Sequence, residues 1–239
     1  MLIVLAVFAL SQDAKVRELL QKGDALWADR EKEGKGLAAV ETYQKALALD
    51  ESCVEAYWKL ARTYFSLGSR EKDDEKKAKL YREGIEFCKM GISVDANSIE
   101  SHFWLGVMYG LFGEVKGIMQ SLYLVDPMKQ EMEWVLARNE KFEYAGAHRV
   151  LGRLYHKLPG IKGGDNKKAI RHFDRAIELS PEIPRSYLYL AEVLVDEGRK
   201  EEAKKALRKC LETPDHPVWG PESRDEKEKS RELLKKLEG

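Results

Sequence analysis

Apolar residues recur at a helical spacing along most of the chain, and the clearest example runs from Asp165 to Pro181. Ala169, Phe173 and Ala176 stand at i, i+4 and i+7, so they share one helix face, while lysines and arginines occupy the other. Asp165 suits the N-cap position, and Pro181 marks the helix end. One small residue on each side of the aromatic ring lets a neighbouring helix approach closely. The pattern therefore indicates packing and not catalysis.

The same spacing occurs elsewhere in the chain. Ala39, Tyr43 and Ala46 repeat it, and a second pattern, which begins with a leucine, precedes each copy. Five such leucines are separated by 34, 45, 46 and 39 residues: Leu26, Leu60, Leu105, Leu151 and Leu190. The shortest interval equals the tetratricopeptide period. The spacing predicts five helical hairpins, which cover residues 20–51, 54–97, 100–130, 145–181 and 184–216.

The fourth hairpin shows the repeat pattern almost completely, and the chain thereby resembles tetratricopeptide-repeat proteins. Its pattern consists of Leu151, Gly152, Tyr155, Ala169, Phe173, Ala176 and Pro181. Prolines number only seven, and helix-favouring residues dominate the composition. We therefore predict an all-α fold, in which hairpins at residues 12–216 stack as a curved α-solenoid. Residues 217–239 would form a C-terminal capping helix, whose apolar stripe is Leu233, Leu234 and Leu237.

Several stretches depart from the regular period. Residues 68–79 form an insertion that predicts a solvated loop or a helix extension. The second helix of the third hairpin is degenerate, and an extra helical segment, Met128 to Tyr144, follows it. The glycine-containing residues 158–166 predict a turn before the Asp165 cap.

The N-terminal residues 1–11 allow two interpretations. The apolar run from Leu2 to Leu10 is too short to span a bilayer, for which a helix needs about 20 residues. Small residues before Gln12 resemble a signal-peptide cleavage pattern, although a basic n-region is missing. The segment is therefore either a cleaved signal, which would make the protein exported or periplasmic, or a hydrophobic first helix of a cytoplasmic protein.

Charge and motif content narrow the functional classes. Basic and acidic residues both number 41, so a net charge of zero argues against binding to nucleic acid or to an anionic membrane. The five histidines are scattered without metal-ligand spacing, and no nucleophile elbow, Walker loop or Rossmann fingerprint occurs. We therefore predict a non-enzymatic protein without metal or cofactor. Of the three cysteines, Cys88 and Cys210 are expected to fill the core.

In tetratricopeptide arrays the first helix of each hairpin lines a groove, and the resemblance transfers this role to ten positions. They are Trp58, Arg62, Phe65, Phe103, Val107, Arg149, Arg153, His156, Leu188 and Glu192. Arg149 and Arg153 lie at i, i+4, so their guanidinium groups could converge on one anion. Alternatively, these arginines are solvated or pair with a nearby glutamate, and the aromatic residues pack between helices.

The insertions and the Gly-Gly-Asp loop at residues 163–165 are similar to those of the T-component proteins of TRAP transporters. A related group, the regulator-of-microtubule-dynamics proteins, has similar helical repeats and a comparable loop. The first resemblance implies an exported homotrimer that binds the solute-binding protein of a TRAP transporter and a small organic or apolar ligand. The alternative function is a general cytoplasmic scaffold that binds proteins or peptides.

Overall fold

The structure, a computed structural model, describes the backbone of residues 2–239 and the side chains of residues 12–239. The side chains of the predicted signal segment, residues 1–11, therefore lie outside the described residues, and its cleavage stays a prediction. The described part contains eleven α-helices and no strand: α1 Leu2–Ala28, α2 Lys35–Leu49, α3 Val54–Arg70, α4 Asp74–Val94, α5 Ile99–Lys116, α6 Val125–Arg138, α7 Phe142–Lys157, α8 Asn166–Leu179, α9 Pro184–Asp196, α10 Lys200–Glu212 and α11 Gly220–Glu238.

The chain folds into two compact units, with the boundary between Glu131 and Met132. In the first unit α1 pairs with α2 and α3 pairs with α4, and α5 packs on α4. In the second unit α7 pairs with α8 and α9 pairs with α10, while α11 packs on α10 and α9. These antiparallel hairpins, together with the C-terminal helix, confirm the predicted all-α helical-repeat fold.

The predicted small-aromatic-small pattern forms the interior of the hairpins. Ala169, Phe173 and Ala176 are completely buried. A Cβ atom added at Gly152 of α7 would lie only 2.6 Å from the Phe173 ring, so α7 and α8 approach closely because this position has no side chain. The same arrangement recurs in the first unit, where Tyr43 of α2 covers Gly23 of α1.

The structure also resolves the irregular stretches. Residues 68–79 extend two helices and form no long loop, since α3 continues to Arg70 and Asp73 caps α4 through the backbone N–H of Lys76 at 2.9 Å. The degenerate segment Ile118–Leu124 is a 3-10 helix. The extra helix begins earlier and ends earlier than predicted, at Val125 and Arg138. Asp165 caps α8 as predicted, at 2.9 Å from the backbone nitrogen of Lys168.

Two further predictions concern the core and the last helix. Cys88 and Cys210 have no solvent exposure, as expected for core fillers. Leu233, Leu234 and Leu237 of α11 pack against the cluster that contains Cys210, although all three remain partly exposed. Across the described helices, none combines the length and apolar content that a bilayer-crossing segment needs.

Candidate functional site

In the first unit, an ion-pair network joins the first helices of two consecutive hairpins. Asp24 of α1 accepts hydrogen bonds from Lys59 of α3 at 2.6 Å, from Arg62 at 3.2 Å and from the Tyr43 hydroxyl at 2.8 Å. Glu55 pairs with Lys59 at 2.6 Å. The Asp24 side chain is 41% exposed, whereas that of Lys59 is only 6% exposed. The carboxylate therefore lies on the solvent side of the buried cation.

Tryptophan rings and arginines stack beside this network. The Arg62 guanidinium carbon lies 3.7 Å from the centre of the Trp27 ring, and that of Arg30 lies 4.0 Å from the same ring. Arg62 also lies 5.1 Å from the Trp58 ring, which is half-buried. Such cation–π contacts fix the guanidinium groups in place. Trp58 and Arg62, both predicted groove residues, are thus neighbours at the surface of the first unit.

The other aromatic groove candidates of the first unit belong to the packed interior. Phe65 and Phe103 are buried, and each ring contacts Trp104, with centroid distances of 5.5 and 5.3 Å. They therefore pack between helices, which was the alternative interpretation. Val107 of α5 is half-buried.

In the second unit, an ion pair and a histidine–carboxylate contact join α7 to α9. Arg153 donates a hydrogen bond to the Glu192 carboxylate. His156 Nε2 lies 2.7 Å from Asp196 Oδ2. The His156 side chain is only 2% exposed, while that of Asp196 is 61% exposed, so the carboxylate again faces solvent. Leu188, predicted to line the groove, is instead buried in the core of this unit.

The hydrogen-bond acceptors of Arg149 lie on its own helix, α7. Its guanidinium donates hydrogen bonds to two backbone carbonyl oxygens of its own helix, those of Tyr144 and, at 2.8 Å, Glu143. Burial lowers the pKa of Arg149 to about 10, and the positive charge of Arg185 contributes to the same shift. Arg153 pairs with a glutamate, as in the alternative interpretation. The convergence of Arg149 and Arg153 on one anion stays a prediction.

The acceptors of Arg149 belong to a left-handed turn. Glu143, Tyr144 and Ala145 have φ values of 46°, 56° and 60°, in a region that non-glycine residues rarely occupy. The Tyr144 ring meets the His216 ring edge-on at a centroid distance of 4.4 Å. No sequence signal indicated this turn, because none of its residues is a glycine or an asparagine, which usually adopt the conformation.

Another ion pair, which the sequence did not suggest, joins α9 to α11. Arg185 Nε donates a hydrogen bond to the Glu226 carboxylate. Burial raises the pKa of the Glu226 carboxyl group, and Arg185 partly offsets that effect. Here the exposure is reversed, because the Arg185 side chain is 27% exposed and that of Glu226 is 8% exposed.

A histidine pair lies between α7 and α8. The Nδ1 atoms of His148 and His172 are 2.9 Å apart, and His148 Nε2 lies 3.0 Å from Glu140. Glu140 also accepts two hydrogen bonds of 2.8 Å from Arg175. Burial lowers the pKa of His172 to about 4, and the His148 charge adds to this effect. Among the described side chains, no group of three or more metal-ligating residues is arranged around a common point.

Several solved structures share the fold of this chain at low sequence identity. The thermophilic TPR protein TTC0263 of Thermus thermophilus has a similar structure, with a TM-score of 0.69, 21% identity and coverage of 92% of this chain and 98% of that protein. PilF of Pseudomonas aeruginosa gives a TM-score of 0.57 at 17% identity, with 95% and 93% of the two chains covered. At these identities the likeness shows the fold alone.

Comparison of sequences, in contrast, identifies the family of the chain. Regulator of microtubule dynamics protein 3 of Rattus norvegicus is 22% identical over 173 residues, which cover 66% of this chain and 36% of the rat protein. The chain thus matches about a third of the length of this curated relative. The model of the family described as "Regulator of microtubule dynamics protein 1-3" matches residues 19–162 and 158–238. With nearly its whole length matched, the chain belongs to the regulator of microtubule dynamics protein 1-3 family.

Proposed function

We propose that this protein is a non-enzymatic scaffold, which binds partner proteins or peptides through the first helices of its hairpins. The observation that carries the proposal is the surface formed in the first unit by Trp58, Asp24 and Glu55. A half-buried aromatic ring lies there beside side-chain carboxylates that are 41% and 51% exposed. Aromatic side chains with charged groups around them are typical of protein interfaces.

The ion-pair networks make such a surface rigid before a partner arrives. Lys59 and Arg62 are held by Asp24 and by the tryptophan rings, so few side chains need to be ordered on binding. Because the carboxylates lie outside the buried cations, this surface best fits a partner segment that carries lysine or arginine.

The test compares substitutions of two apolar residues, the half-buried Trp58 and the exposed Leu37. Trp58→Ala alters the first helix of the second hairpin, whereas Leu37→Ala, at a residue that is 58% exposed, alters the second helix of the first hairpin. We expect proteins captured from native extract by the unaltered chain to be lost with Trp58→Ala and retained with Leu37→Ala. Equal capture by both variants would contradict a role for the first helices.

Two more specific partners are also proposed: microtubules and, as described below, a TRAP solute-binding protein. The name of the matched relatives refers to microtubule dynamics, and co-sedimentation with microtubules, with Trp58→Ala as the matched variant, would test that activity. The chain matches 36% of the rat protein, so this assay tests whether the matched part alone binds microtubules.

The second specific proposal is based on the sequence resemblance to T-component proteins of TRAP transporters. It comprises association with a TRAP solute-binding protein, formation of a homotrimer and binding of a small organic ligand. A solute-binding protein and a membrane permease encoded beside this chain would support them. Sequencing of the mature N-terminus would decide between export and a cytoplasmic location, because an intact Met1 in the cytoplasm contradicts export.

A further inference from the structure

The turn that leads into α11 is closed by an imidazole ring. His216 Nδ1 accepts hydrogen bonds from the backbone N–H groups of Val218 and Trp219, both at 3.2 Å. Helix α11 begins at the next residue, Gly220. Turns of this kind are commonly closed by Asn or Asp, whose side-chain oxygen accepts from the backbone two residues on. At residues 216–219, the His216 turn, an imidazole nitrogen takes the place of that oxygen.

The two contacts define the protonation state of the ring. A nitrogen that accepts hydrogen bonds must carry a lone pair, so the His216 imidazole is neutral and its proton lies on Nε2. The residue is buried, with only 6% of its surface exposed. Its backbone N–H donates to Ser223 Oγ of α11 at 3.3 Å. The side chain and the backbone of His216 thus both bind the segment at residues 218–223.

A proton on Nδ1 would turn this acceptor into a donor. An Nδ1–H group would face the N–H groups of Val218 and Trp219, and both hydrogen bonds would be lost together. The new positive charge would also lie beside the N-terminus of α11, where the helix dipole is positive. The closed turn therefore requires the neutral ring.

The groups around the ring decide at which pH the proton binds. Burial lowers the pKa of His216 from 6.5, the charge of Glu182 between α8 and α9 opposes this shift, and the charge of Arg149 on α7 adds to it. The Tyr144 ring of α7 packs edge-on against the imidazole. The carboxylate of the preceding residue, Asp215, pairs with two cations of α11. The folded turn therefore takes up a proton at a lower pH than an unfolded histidine does.

We propose that His216 is a pH-sensitive switch: the neutral imidazole closes the His216 turn, and proton binding at Nδ1 opens it. The stability that the closed turn contributes is complete above pH 6.5 and is lost as the pH falls through the lower pKa of the folded state. The change is local, because the contacts farther along α11, Arg185 with Glu226 and Ser230 with Cys210, involve no atom of the turn. The switch does not depend on the proposed scaffold function.

The unaltered chain tests the assigned tautomer directly. Nitrogen-15 NMR of the His216 imidazole, in a series from about pH 7.5 to about pH 4.5, should show a bare Nδ1 at the neutral end and its protonation below pH 6.5. In the same series, the amide protons of Val218 and Trp219 should lose protection from hydrogen exchange by about tenfold, after correction for the intrinsic effect of pH. A proton on Nδ1 at neutral pH, or constant protection, would overturn the proposal.

Two substitutions separate the acceptor from its titration. His216→Asn places Oδ1 as many bonds from Cα as Nδ1, and this oxygen accepts at every pH of the series, so the protection of both amides should stay high and constant. His216→Gln places its oxygen one bond farther out, and protection should be low throughout. A pH-dependent loss of protection in the Asn variant would contradict the switch, as would equal protection in the Asn and Gln variants.

The matched control is His172→Asn, which removes a titrating histidine of α8 and leaves the His216 turn intact. Exchange of the Val218 and Trp219 amides in this variant should follow that of the unaltered chain at each pH. A constant profile in this variant would assign the pH dependence to His172 and overturn the proposal.

Discussion

Arg149 donates a hydrogen bond from its guanidinium group to the carbonyl oxygen of Glu143 at 2.8 Å, and thereby holds a left-handed turn at the start of its own helix. The turn supplies neutral acceptors to a buried cation, and the cation in return holds carbonyl groups in an unfavourable conformation. The carbonyl acceptors lower the free-energy cost of burying the guanidinium, and the guanidinium lowers the cost of the left-handed turn. Both can be tested separately.

Removal of the guanidinium should destabilise the protein. We expect Arg149→Met to lower the free energy of unfolding by about 2–4 kcal/mol, because the hydrogen bonds of a charged donor are lost and the turn is left without support. Urea denaturation gives the value. Arg153→Met is the matched control, and at this more exposed ion pair the loss should be about 1 kcal/mol or less. Equal losses would show that Arg149 has no special role.

The strain of the turn itself predicts a stabilising substitution. Glu143 has a φ of 46°, which glycine adopts without steric cost. Glu143→Gly should therefore raise the free energy of unfolding by roughly 0.5–1 kcal/mol. The control is Glu133→Gly, at an exposed position within the regular helix α6, which should instead lower it by about 1 kcal/mol. Destabilisation by both substitutions would contradict the assigned conformation.

The close approach of α7 and α8 predicts the effect of one methyl group. Gly152→Ala would place a Cβ atom 2.6 Å from the Phe173 ring, so the helices must separate. We expect the free energy of unfolding to fall by about 1–3 kcal/mol. Gly160→Ala, where the new atom meets nothing within 4 Å, should change it little. Combining Gly152→Ala with Phe173→Leu should recover part of the loss if the clash with the ring is its cause.

The half-buried His172 predicts a pH dependence of stability. Burial and the neighbouring His148 lower the pKa of His172 from 6.5 to about 4. Between these values the unfolded chain binds a proton that the folded chain does not, so acidification favours unfolding. The stability contributed by neutral His172 is complete above pH 6.5 and is lost as the pH falls towards 4.

His172→Asn removes this titration, and its effect can be read as a difference between two pH profiles. The unaltered chain should lose up to about 1.4 kcal/mol more per pH unit than the variant within that window. Thermal denaturation at closely spaced pH values measures both profiles. Parallel profiles would exclude His172 as the titrating group.

The repeat fold could be predicted from the sequence because its signals are local. Ala169, Phe173 and Ala176 lie within two turns of one helix, and the helical period places them on a common face whatever surrounds them. The Asp165 cap depends on a hydrogen bond to a residue only three positions away. Such features are set by backbone geometry and by which residue types fit it.

The partners of the charged residues could not be predicted in the same way. The sequence placed Arg149 and Arg153 on one face, but it could not show that the partners of Arg153 and Arg185 lie 39 and 41 residues away, at Glu192 and Glu226. These pairs depend on how consecutive hairpins pack, and a long side chain can reach several acceptors at similar cost. The left-handed turn at Glu143 could not be predicted either. Its residue types do not favour a left-handed conformation, and the Arg149 guanidinium holds the turn in place. The sequence by itself thus determined the helices and their inner faces, while only tertiary packing decided which charged side chains meet, because these contacts join residues far apart in the chain.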